Sequence, residues 1–278
     1  PAYQNPGVRG GKMKKKQKNY NLILGIFIAL FMLLFLLAGL FYTPYDPDAM
    51  NGAAKFAAPG AEHLFGCDHF GRDILSRVMK GTGTTFFVAV STVVLGGGIG
   101  ILVGAFTGYF GGWVDEVLMR FNDVVFSFPH ILLALVFIGV LGPGKYNVIL
   151  ALSVVFIPSF ARITRGEFLA QKEMDYVKSA RLMGVSHLRI MFVHIFPNTL
   201  PSVLSMAAIG FNNAVLAEAG MSYLGIGVQP PDASLGRMLS ESQTYLMSAP
   251  WCAIFPGLCI LLLALGFSLL SDGLLKKG

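Results

Sequence analysis

The chain has 278 residues, of which 54% are hydrophobic and only 13% are charged, whereas soluble domains carry about 25% charged residues. So few charged side chains cannot cover a core of this size, and the composition therefore excludes a soluble globular domain. The three cysteines, Cys67, Cys252 and Cys259, show no C-x-x-C spacing and indicate no redox site.

Residues 1–20 form a basic tail, and residues 1–12 precede a natural start at Met13, which begins MKKKQKNYNLIL. We expect residues 1–12 to be a vector-derived extension or a misassigned start, and we give them no role. The apolar segment 21–42 is long enough to cross a bilayer, which takes about 20 residues. A secretory signal has a shorter apolar core of about 7–15 residues, so this segment is predicted to remain as an anchor.

Residues 43–83 are predicted to form an external loop that contains an interfacial amphipathic stretch, HLFGCDHFGRDILSRVMKG. His63, Cys67 and His69 in this stretch are residue types that bind transition metals. Their spacing fits no standard metal site. The amphipathic interpretation is therefore favoured, and no metal site is predicted.

Residues 84–278 are predicted to form a core of five further spanning helices, because backbone polar groups in lipid must bond within a helix. Pro129 is expected to kink the second of these helices. The five predicted spans are Thr84–Phe110, Phe121–Leu141, Tyr146–Ile163, Ile195–Ala217 and Trp251–Leu270. The sequence thus indicates an all-α membrane protein with six transmembrane helices.

The placement of lysine and arginine orients this bundle. Loops rich in these residues stay in the cytosol, which predicts cytosolic termini in a multi-pass protein of the cytoplasmic membrane. This orientation also explains the net charge of +6 without a nucleic-acid partner. Only six of the 21 basic residues would then lie outside: Lys55, Arg72, Arg77, Lys80, Lys145 and Arg237.

Two glycine patterns have the appearance of nucleotide-binding loops. The string GVLGPGKY, residues 139–146, has phosphate-loop spacing, but it lacks the Ser or Thr that would hold Mg²⁺ and follows no predicted strand. We interpret it as a turn between helices. The second pattern lies inside a predicted span and repeats every four residues, which places small residues on one face for close helix packing. Its members are Gly96, Gly100, Gly104 and Gly108.

Polar residues inside a predicted span are candidates for a translocation path or gate. Glu218 lies near the end of the fifth span, one to two turns after Asn212 and Asn213. Ionisable residues within a membrane are costly and commonly functional. An interfacial cap or an interhelical hydrogen bond is the alternative explanation for Glu218.

The polar segment 164–194 separates the fourth and fifth spans. Phe168, Met174, Val177, Leu182 and Met183 recur near helical spacing, which predicts amphipathic helices on the cytosolic face. Gly184 is expected to end one helix as a C-cap. Such a helix, with small residues Ser179 and Ala180, suits insertion into a groove on a soluble partner, and a basic helix lying on anionic lipid is the alternative.

The string DYVKSARLMGVSHLRIMFVHIFPNTLP resembles the signature loop of binding-protein-dependent ABC importer permeases, E-A-A-x3-G-x9-I-x-L-P. Ala180, Gly184 and Pro197 match this general form strictly. The string is more similar to the version in the dipeptide, oligopeptide and nickel branch. PYDP, HLFGCDHFGRD and EAGMSYLGIGVQPPDASLGRML also resemble that branch, in particular its C-type permease subunit.

The resemblance implies a type I ABC importer permease fold and a coupling helix seated in a cleft of an ATPase subunit. Lys178 departs from the acidic residue of the general motif, and Cys67 departs from the Thr usual in the branch. The coupling residues implied by the resemblance are Asp175, Tyr176, Val177, Ser179, Ala180, Arg181, Leu182 and Gly184.

The same resemblance implies a set of partners: a second, homologous permease subunit in a heterodimer, two cytosolic ABC ATPases, an extracytoplasmic solute-binding protein and the lipid bilayer. ATP and Mg²⁺ would bind to the ATPase subunits. The chain itself is therefore expected to bind no cofactor or metal and to be no enzyme. The implied cargo is short peptides, dipeptides or oligopeptides, with a nickel chelate as the alternative.

Two other function classes fit the residues less well. An ion-coupled secondary transporter would place carboxylates near the midplane of the membrane, and the sequence shows none there. A membrane-embedded hydrolase would need a nucleophile with a positioned base. His130 and His194 lie at the edges of spans without an evident Ser or Cys partner.

Overall fold

The apolar segments form long helices in the computed structural model, which describes residues 20–275 and the side chains of residues 22–273. Every regular element within residues 20–275 is helical, which confirms the all-α class. The predicted basic tail, apart from Tyr20, and the basic residues Lys276 and Lys277 lie outside the described residues.

Ten α-helices make up this part of the chain. Short 3₁₀ turns at Gly52–Ala54 and Gln243–Tyr245 and a π-helical segment at Ile190–Ile195 lie between them. The α-helices are α1 Tyr20–Phe41, α2 Ile74–Phe110, α3 Gly112–Phe126, α4 His130–Leu141, α5 Lys145–Gln171, α6 Asp175–Leu182, α7 His187–Arg189, α8 Phe196–Tyr223, α9 Leu235–Ser242 and α10 Trp251–Leu275.

Five helical rods in the described residues are long and apolar enough to cross a membrane, and the pair α3 and α4 adds a sixth candidate. The predicted kink at Pro129 is a full break, since α3 ends at Phe126, α4 begins at His130 and the two helices meet at 89°. Pro129 donates no N–H and disfavours helical geometry in the residue before it. With 12 residues, α4 is about 18 Å long, shorter than a hydrocarbon core of about 30 Å.

Several helices extend beyond the predicted apolar spans. Asp73 accepts a hydrogen bond from the Ser76 backbone N–H at 2.8 Å, so α2 begins at Ile74 rather than Thr84. The helical rod that contains α8 starts at His187, because α7 and the π-helical segment are continuous with it. Polar capping thus extends α2 beyond the start that hydropathy alone indicated.

The helices pack around α2, α5 and α8, which share the main core cluster. α1 lies along α10, where a Cβ atom added to Gly25 would come within 2.7 Å of the Leu270 backbone nitrogen. Only glycine permits so close an approach between these two helices. The first predicted span is therefore packed against the last one rather than isolated from the core.

Candidate functional site

The glycine stripe of α2 positions α5. A Cβ atom added to Gly96 or Gly100 would lie 2.6 Å from the carbonyl oxygens of Ser153 and Ile157, respectively, and one added to Gly108 would lie 2.7 Å from that of Arg165. Gly104 approaches the Ala161 carbonyl oxygen in the same way. Each glycine thus meets the backbone one turn further along α5, and the two helix axes can come close together.

At the carboxyl end of α2 and α5, the short helix α6 rests on a small second core. Val177 and Ala180 of α6 are buried, and they belong to a cluster formed by residues of α2, α5 and the rod that begins at His187. The other members of this cluster are Ala105, Tyr109, Phe168, Ile190, Met191 and Ile195. These contacts attach α6 to the ends of three long helices at once.

Gly184 ends α6, as the sequence predicts. Its φ is +76°, a left-handed conformation that costs a residue with a Cβ atom about 1–2 kcal/mol. The Val185 N–H donates to the Ala180 carbonyl at 3.1 Å and the Gly184 N–H donates to the Arg181 carbonyl at 3.0 Å. This pair of bonds is a Schellman motif, which satisfies the last carbonyls of the helix.

Polar contacts fix the orientation of α6 on this cluster. The Tyr176 hydroxyl donates to Gln171 Oε1 at 2.8 Å and accepts from Asn198 Nδ2 at 3.2 Å. The Arg181 guanidinium lies 5.2 Å from the centre of the Tyr109 ring, within the range of a cation–π contact. α6 is therefore tied to the end of α5, the start of α8 and the end of α2.

The outward face of α6 is exposed and partly apolar. Leu182 is 90% exposed and Met183 is 75% exposed. The predicted coupling residues thus divide into two groups: Val177 and Ala180 face the bundle, whereas Asp175, Tyr176, Ser179, Arg181, Leu182 and Gly184 are exposed.

The sequence pattern had placed Leu182 and Met183 on one apolar stripe with Phe168 and Val177, and the structure corrects this assignment. Phe168 and Val177 are buried, whereas Leu182 and Met183 lie on the surface together with Leu188. Met183 and Leu188 were not predicted as site residues. The near-helical spacing could not separate Leu182 and Met183 from the buried set, because α6 ends at Leu182 and the chain turns at Gly184.

A cavity of about 460 Å³ lies between α4, α5 and α8. Asn213 lines it, whereas Glu218 does not. Of the three candidate path residues, only Asn213 lies at this open space, since Asn212 and Glu218 are absent from its lining. The cavity is lined by Pro129, His130, Ile131, Phe156, Ser159, Phe160, Met206, Gly210, Asn213, Leu216 and Ala217.

Glu218 instead lies fully buried on the side of α8 that faces α2 and α9. The Ser222 hydroxyl donates to its Oε1 atom at 2.6 Å, and the hydroxyls of Thr85 and Ser234 lie beside its carboxyl group. The same Ser222 hydroxyl accepts from the Val228 N–H at 3.0 Å. The hydrogen bond of Glu218 thus lies within α8, its Oε2 atom is buried without a partner, and both explanations for this residue stay predictions.

At the opposite end of α2 from α6, residues 43–73 join α9 in a layer that we call the charged cap, which includes Arg77. Arg72 donates to Asp68 Oδ2 at 2.6 Å and to Glu241 Oε2 at 3.0 Å. Arg77, 3% exposed, lies within 4 Å of carboxylate oxygens of Asp68 and Glu241. These buried charges join the loop after α1 to α2 and α9.

The three residues considered for a metal are held separately inside this cap. His63 Nδ1 lies 2.9 Å from Asp73, whereas the His69 ring packs against Tyr245. Burial, followed by the charges of Asp73 and Asp68, raises the pKa of the Cys67 thiol to about 11. In the described part of the chain, no group of three or more His, Cys, Asp or Glu residues could hold a metal ion.

Comparisons with known proteins point to one family. Residues 100–277 match the model of the family described as "Binding-protein-dependent transport system inner membrane component". The chain is 35% identical over 265 residues to the dipeptide transport system permease protein DppC of Alkalihalophilus pseudofirmus, covering 94% of this chain and 86% of the relative. It is 40% identical over 255 residues to the glutathione transport system permease protein GsiD of Escherichia coli O157:H7, covering 88% and 82% of the two chains.

The fold is similar to that of a solved transporter. A chain of the MetNI methionine ABC transporter, in inward-facing conformations, superposes with a TM-score of 0.54 and 19% sequence identity. The match covers 72% of this chain and 93% of that chain. At this level of identity the similarity describes the arrangement of helices alone, and it is the type I importer arrangement that the resemblance implied.

Proposed function

The chain belongs to the family of binding-protein-dependent transport system inner membrane components, and on that basis we propose that it forms half of a translocation pathway for short peptides. As a permease subunit of an ABC importer in the cytoplasmic membrane, it is a transport protein. We propose that separate ATPase subunits bind ATP and Mg²⁺, and that a second permease and an external binding protein complete the importer.

The exposed apolar face of α6 carries this proposal. A side chain such as Leu182, 90% exposed at the tip of a polar helix, gains stability by entering a partner's pocket, at roughly 25 cal/mol per Å² of apolar area. Arg181 and Lys178 on the same helix can pair with acidic groups around such a pocket. In the proposed orientation α6 and both termini lie in the cytosol, where an ATPase subunit can reach them.

The attachment of α6 gives a route for mechanical work. Val177 and Ala180 press on the cluster that contains Tyr109 of α2, Phe168 of α5 and Ile195 before α8. Because packed cores deform little, displacement of α6 by a closing ATPase moves the ends of these helices with it. We propose that this movement switches the permease pair between inward-open and outward-open forms. The loaded binding protein favours the outward-open form, since a ligand shifts an equilibrium only through differential affinity.

Peptides are the cargo that the relatives support. The two relatives described above are named for dipeptide and glutathione transport, and glutathione is itself a small peptide. A nickel chelate is the alternative, which calorimetry of the cognate binding protein with peptides and with nickel chelates would decide. Tight binding of nickel chelates together with no binding of peptides would overturn the peptide assignment.

The coupling role is tested by truncating Leu182 in the assembled importer. We expect Leu182→Ala to lower peptide uptake and binding-protein-stimulated ATP hydrolysis about tenfold, the equivalent of 1.4 kcal/mol of lost docking energy. Val140→Ala is the matched control, because Val140 is 82% exposed on α4 and far along the chain from α6. It should leave both activities unchanged.

A second variant distinguishes ATPase docking from lipid binding. Leu182→Asp with Met183→Asp removes the apolar face without touching the buried side of α6, so the protein should still insert. We expect the ATPase subunits to be lost during purification of this variant. Normal co-purification and normal uptake would contradict the proposal and favour a helix that lies on lipid.

A further inference from the structure

The cavity between α4, α5 and α8 presents polar side chains to its open space. His130, Ser159 and Asn213 line it; Ser159 is half-buried, whereas His130 and Asn213 are exposed. Within the described residues none of these three side chains donates or accepts a hydrogen bond, although the His130 ring contacts that of Phe126. The adjoining Asn212 Oδ1 atom is buried without a hydrogen-bond partner. Because buried polar atoms are normally bonded, this oxygen and the polar side chains beside it indicate a wall suited to a polar ligand.

The cavity lies near half the depth of the bundle. Ser159 stands at the middle of the 27-residue α5, and Asn213 lies well inside the 28-residue α8. His130 begins α4 at the sharp break after α3. Polar groups at this depth would be unsatisfied against hydrocarbon, at a cost of several kcal/mol each. We therefore infer that this face lines a space that water or a polar ligand enters, and that it does not contact lipid.

The polar part of the lining carries no formal charge, since Asp, Glu, Lys and Arg are absent from the lining residues. The Asn213 amide both donates and accepts, and the Ser159 hydroxyl does the same. These groups are complementary to the N–H and C=O of a peptide group. A bare metal dication would find a single imidazole and no carboxylate or thiolate here.

Apolar side chains form the rest of the wall. Phe160, Met206 and Leu216 offer a surface on which side chains of different shapes can pack, with methionine the most adaptable. A volume of about 460 Å³ lies within the range of about 300–1,000 Å³ found for small-molecule sites. Phe160 itself is fixed, because a Cβ atom added to Gly97 or Gly210 would lie within 3.1 Å of its ring.

We propose that this cavity is a main-chain binding site for the transported peptide, in which Asn213 and Ser159 hydrogen-bond to a peptide group of the cargo. Phe160, Met206 and Leu216 contact its side chains without selecting among them. The proposal rests on the proposed function as a peptide importer. It adds a site inside the permease that recognises the peptide main chain, which all short peptides share.

Access to the cavity is tested by cysteine labelling in the assembled importer. The native cysteines Cys67, Cys252 and Cys259 are buried, so they contribute little background. Asn213→Cys should react with a charged methanethiosulfonate reagent, and a saturating short peptide with its binding protein and ATP should slow the reaction. The control Val136→Cys, 63% exposed on α4 but outside the cavity lining, should not react. A cysteine at position 213 that never reacts, or reacts equally fast with peptide present, overturns the proposal.

The hydrogen bond is tested with Asn213→Leu, which keeps the side-chain size and removes the amide. We expect uptake of triglycine to fall about tenfold. Uptake of a triglycine analogue methylated at the central amide nitrogen should fall much less on the same substitution. This analogue has no N–H at that position to donate to the Asn213 side-chain oxygen. Binding-protein affinity for both peptides is measured separately, and uptake is compared at saturation.

Stimulation of ATP hydrolysis by the loaded binding protein separates the two proposals. It is measured in the wild-type complex, where α6, its docking face and the cavity are all intact. Unchanged triglycine uptake in Asn213→Leu, or equal losses for the two peptides, overturns the main-chain site while the importer remains. Absence of stimulation in the wild-type complex instead rejects the importer function, and the site with it.

Discussion

The charged cap and the α6 end lie at opposite ends of α2 and are held by different forces. In the cap, Arg72 joins Asp68 and Glu241, which lies 169 residues away in sequence, through charge-assisted hydrogen bonds. At the other end, α6 rests on the apolar side chains of Val177 and Ala180. One end is fastened by buried charge-assisted bonds between distant segments, whereas the other is attached mainly by apolar packing, with exposed hydrogen bonds of Tyr176 that orient α6.

This difference fits two mechanical roles. Charge-assisted hydrogen bonds fix distance and angle, so the cap holds α2 and α9 in one arrangement. Apolar packing is non-directional. In the proposed mechanism it passes a displacement of α6 on to the helix ends, while the exposed Leu182 and Met183 remain available to a partner. The permease therefore has a stiff closure at one end and the proposed docking element at the other.

The largest effect should come from breaking the cap. Arg72→Met leaves Asp68 and Glu241 without their central partner, and removal of one member of a buried ion pair costs about 3–5 kcal/mol. Denaturant or thermal unfolding in detergent measures the loss. We expect the variant to unfold much earlier than the wild type and to accumulate poorly in membranes.

The matched control is Arg162→Met near the α6 end. Arg162 pairs with Asp123 at 3.0 Å, but their side chains are 54% and 61% exposed, and an exposed pair contributes about 0–1 kcal/mol. Equal losses of stability in Arg72→Met and Arg162→Met would show that the cap is not the stiffer end.

The sequence predicted the features that depend on local spacing. Gly96 and Gly100, four residues apart, indicated a bare helix face, and the structure places that face on α5. Gly184 indicated a helix end and has the positive φ of a C-cap. These features follow from the chain's own periodicity, so they could be read without knowing what lies beside them.

Features that depend on distant neighbours could not be predicted in this way. Nothing near Arg72 in the sequence indicates Glu241, and hydropathy treats residues 121–141 as one run although the chain turns by 89° within it. The cavity was missed for the same reason, since Ser159 and Asn213 come from different helices. Asn213 alone was noted, because a polar residue inside a span is visible in the sequence.

A second prediction asks whether the α2–α5 contact supports the α6 end. A Cβ atom added to Gly108 would lie 2.7 Å from both the Arg165 carbonyl oxygen and Phe168 Cβ, and Phe168 belongs to the cluster below α6. Gly108→Ala should therefore destabilise by about 1–3 kcal/mol through overpacking. Hydrogen exchange should rise in residues 175–182 more than in the cap.

Gly98→Ala is the control on the same helix. A Cβ atom there meets nothing within 4 Å, and replacing glycine by alanine inside a helix gains up to about 1 kcal/mol. This variant should be neutral or slightly more stable, with unchanged exchange in α6. Faster exchange in the cap than in residues 175–182 of Gly108→Ala would show that the two ends are not mechanically separate.

The smallest expected effect is a pH dependence located in the cap. Burial lowers the pKa of His69 from its ordinary value of 6.5, with Arg72 and Arg77 acting in the same direction and Asp68 and Glu241 opposing it. The ring packs against Phe70 and Tyr245 in the folded cap. Protonation would place a charge among these rings and beside two arginines.

The sign of the dependence follows from where the proton binds more strongly. Between the lowered pKa of folded His69 and 6.5, the unfolded chain binds more protons than the folded chain, so stability falls as the pH falls through this window. The contribution is complete above pH 6.5 and lost below the folded pKa.

His69→Phe keeps an aromatic ring against Tyr245 and removes this proton, so its unfolding midpoint should decline less than that of the wild type between pH 7 and 5. If the unfolding midpoints of the two proteins change equally with pH across this range, His69 binds protons equally well in the folded and unfolded chains. The cap would then be more solvated than its buried arginines indicate.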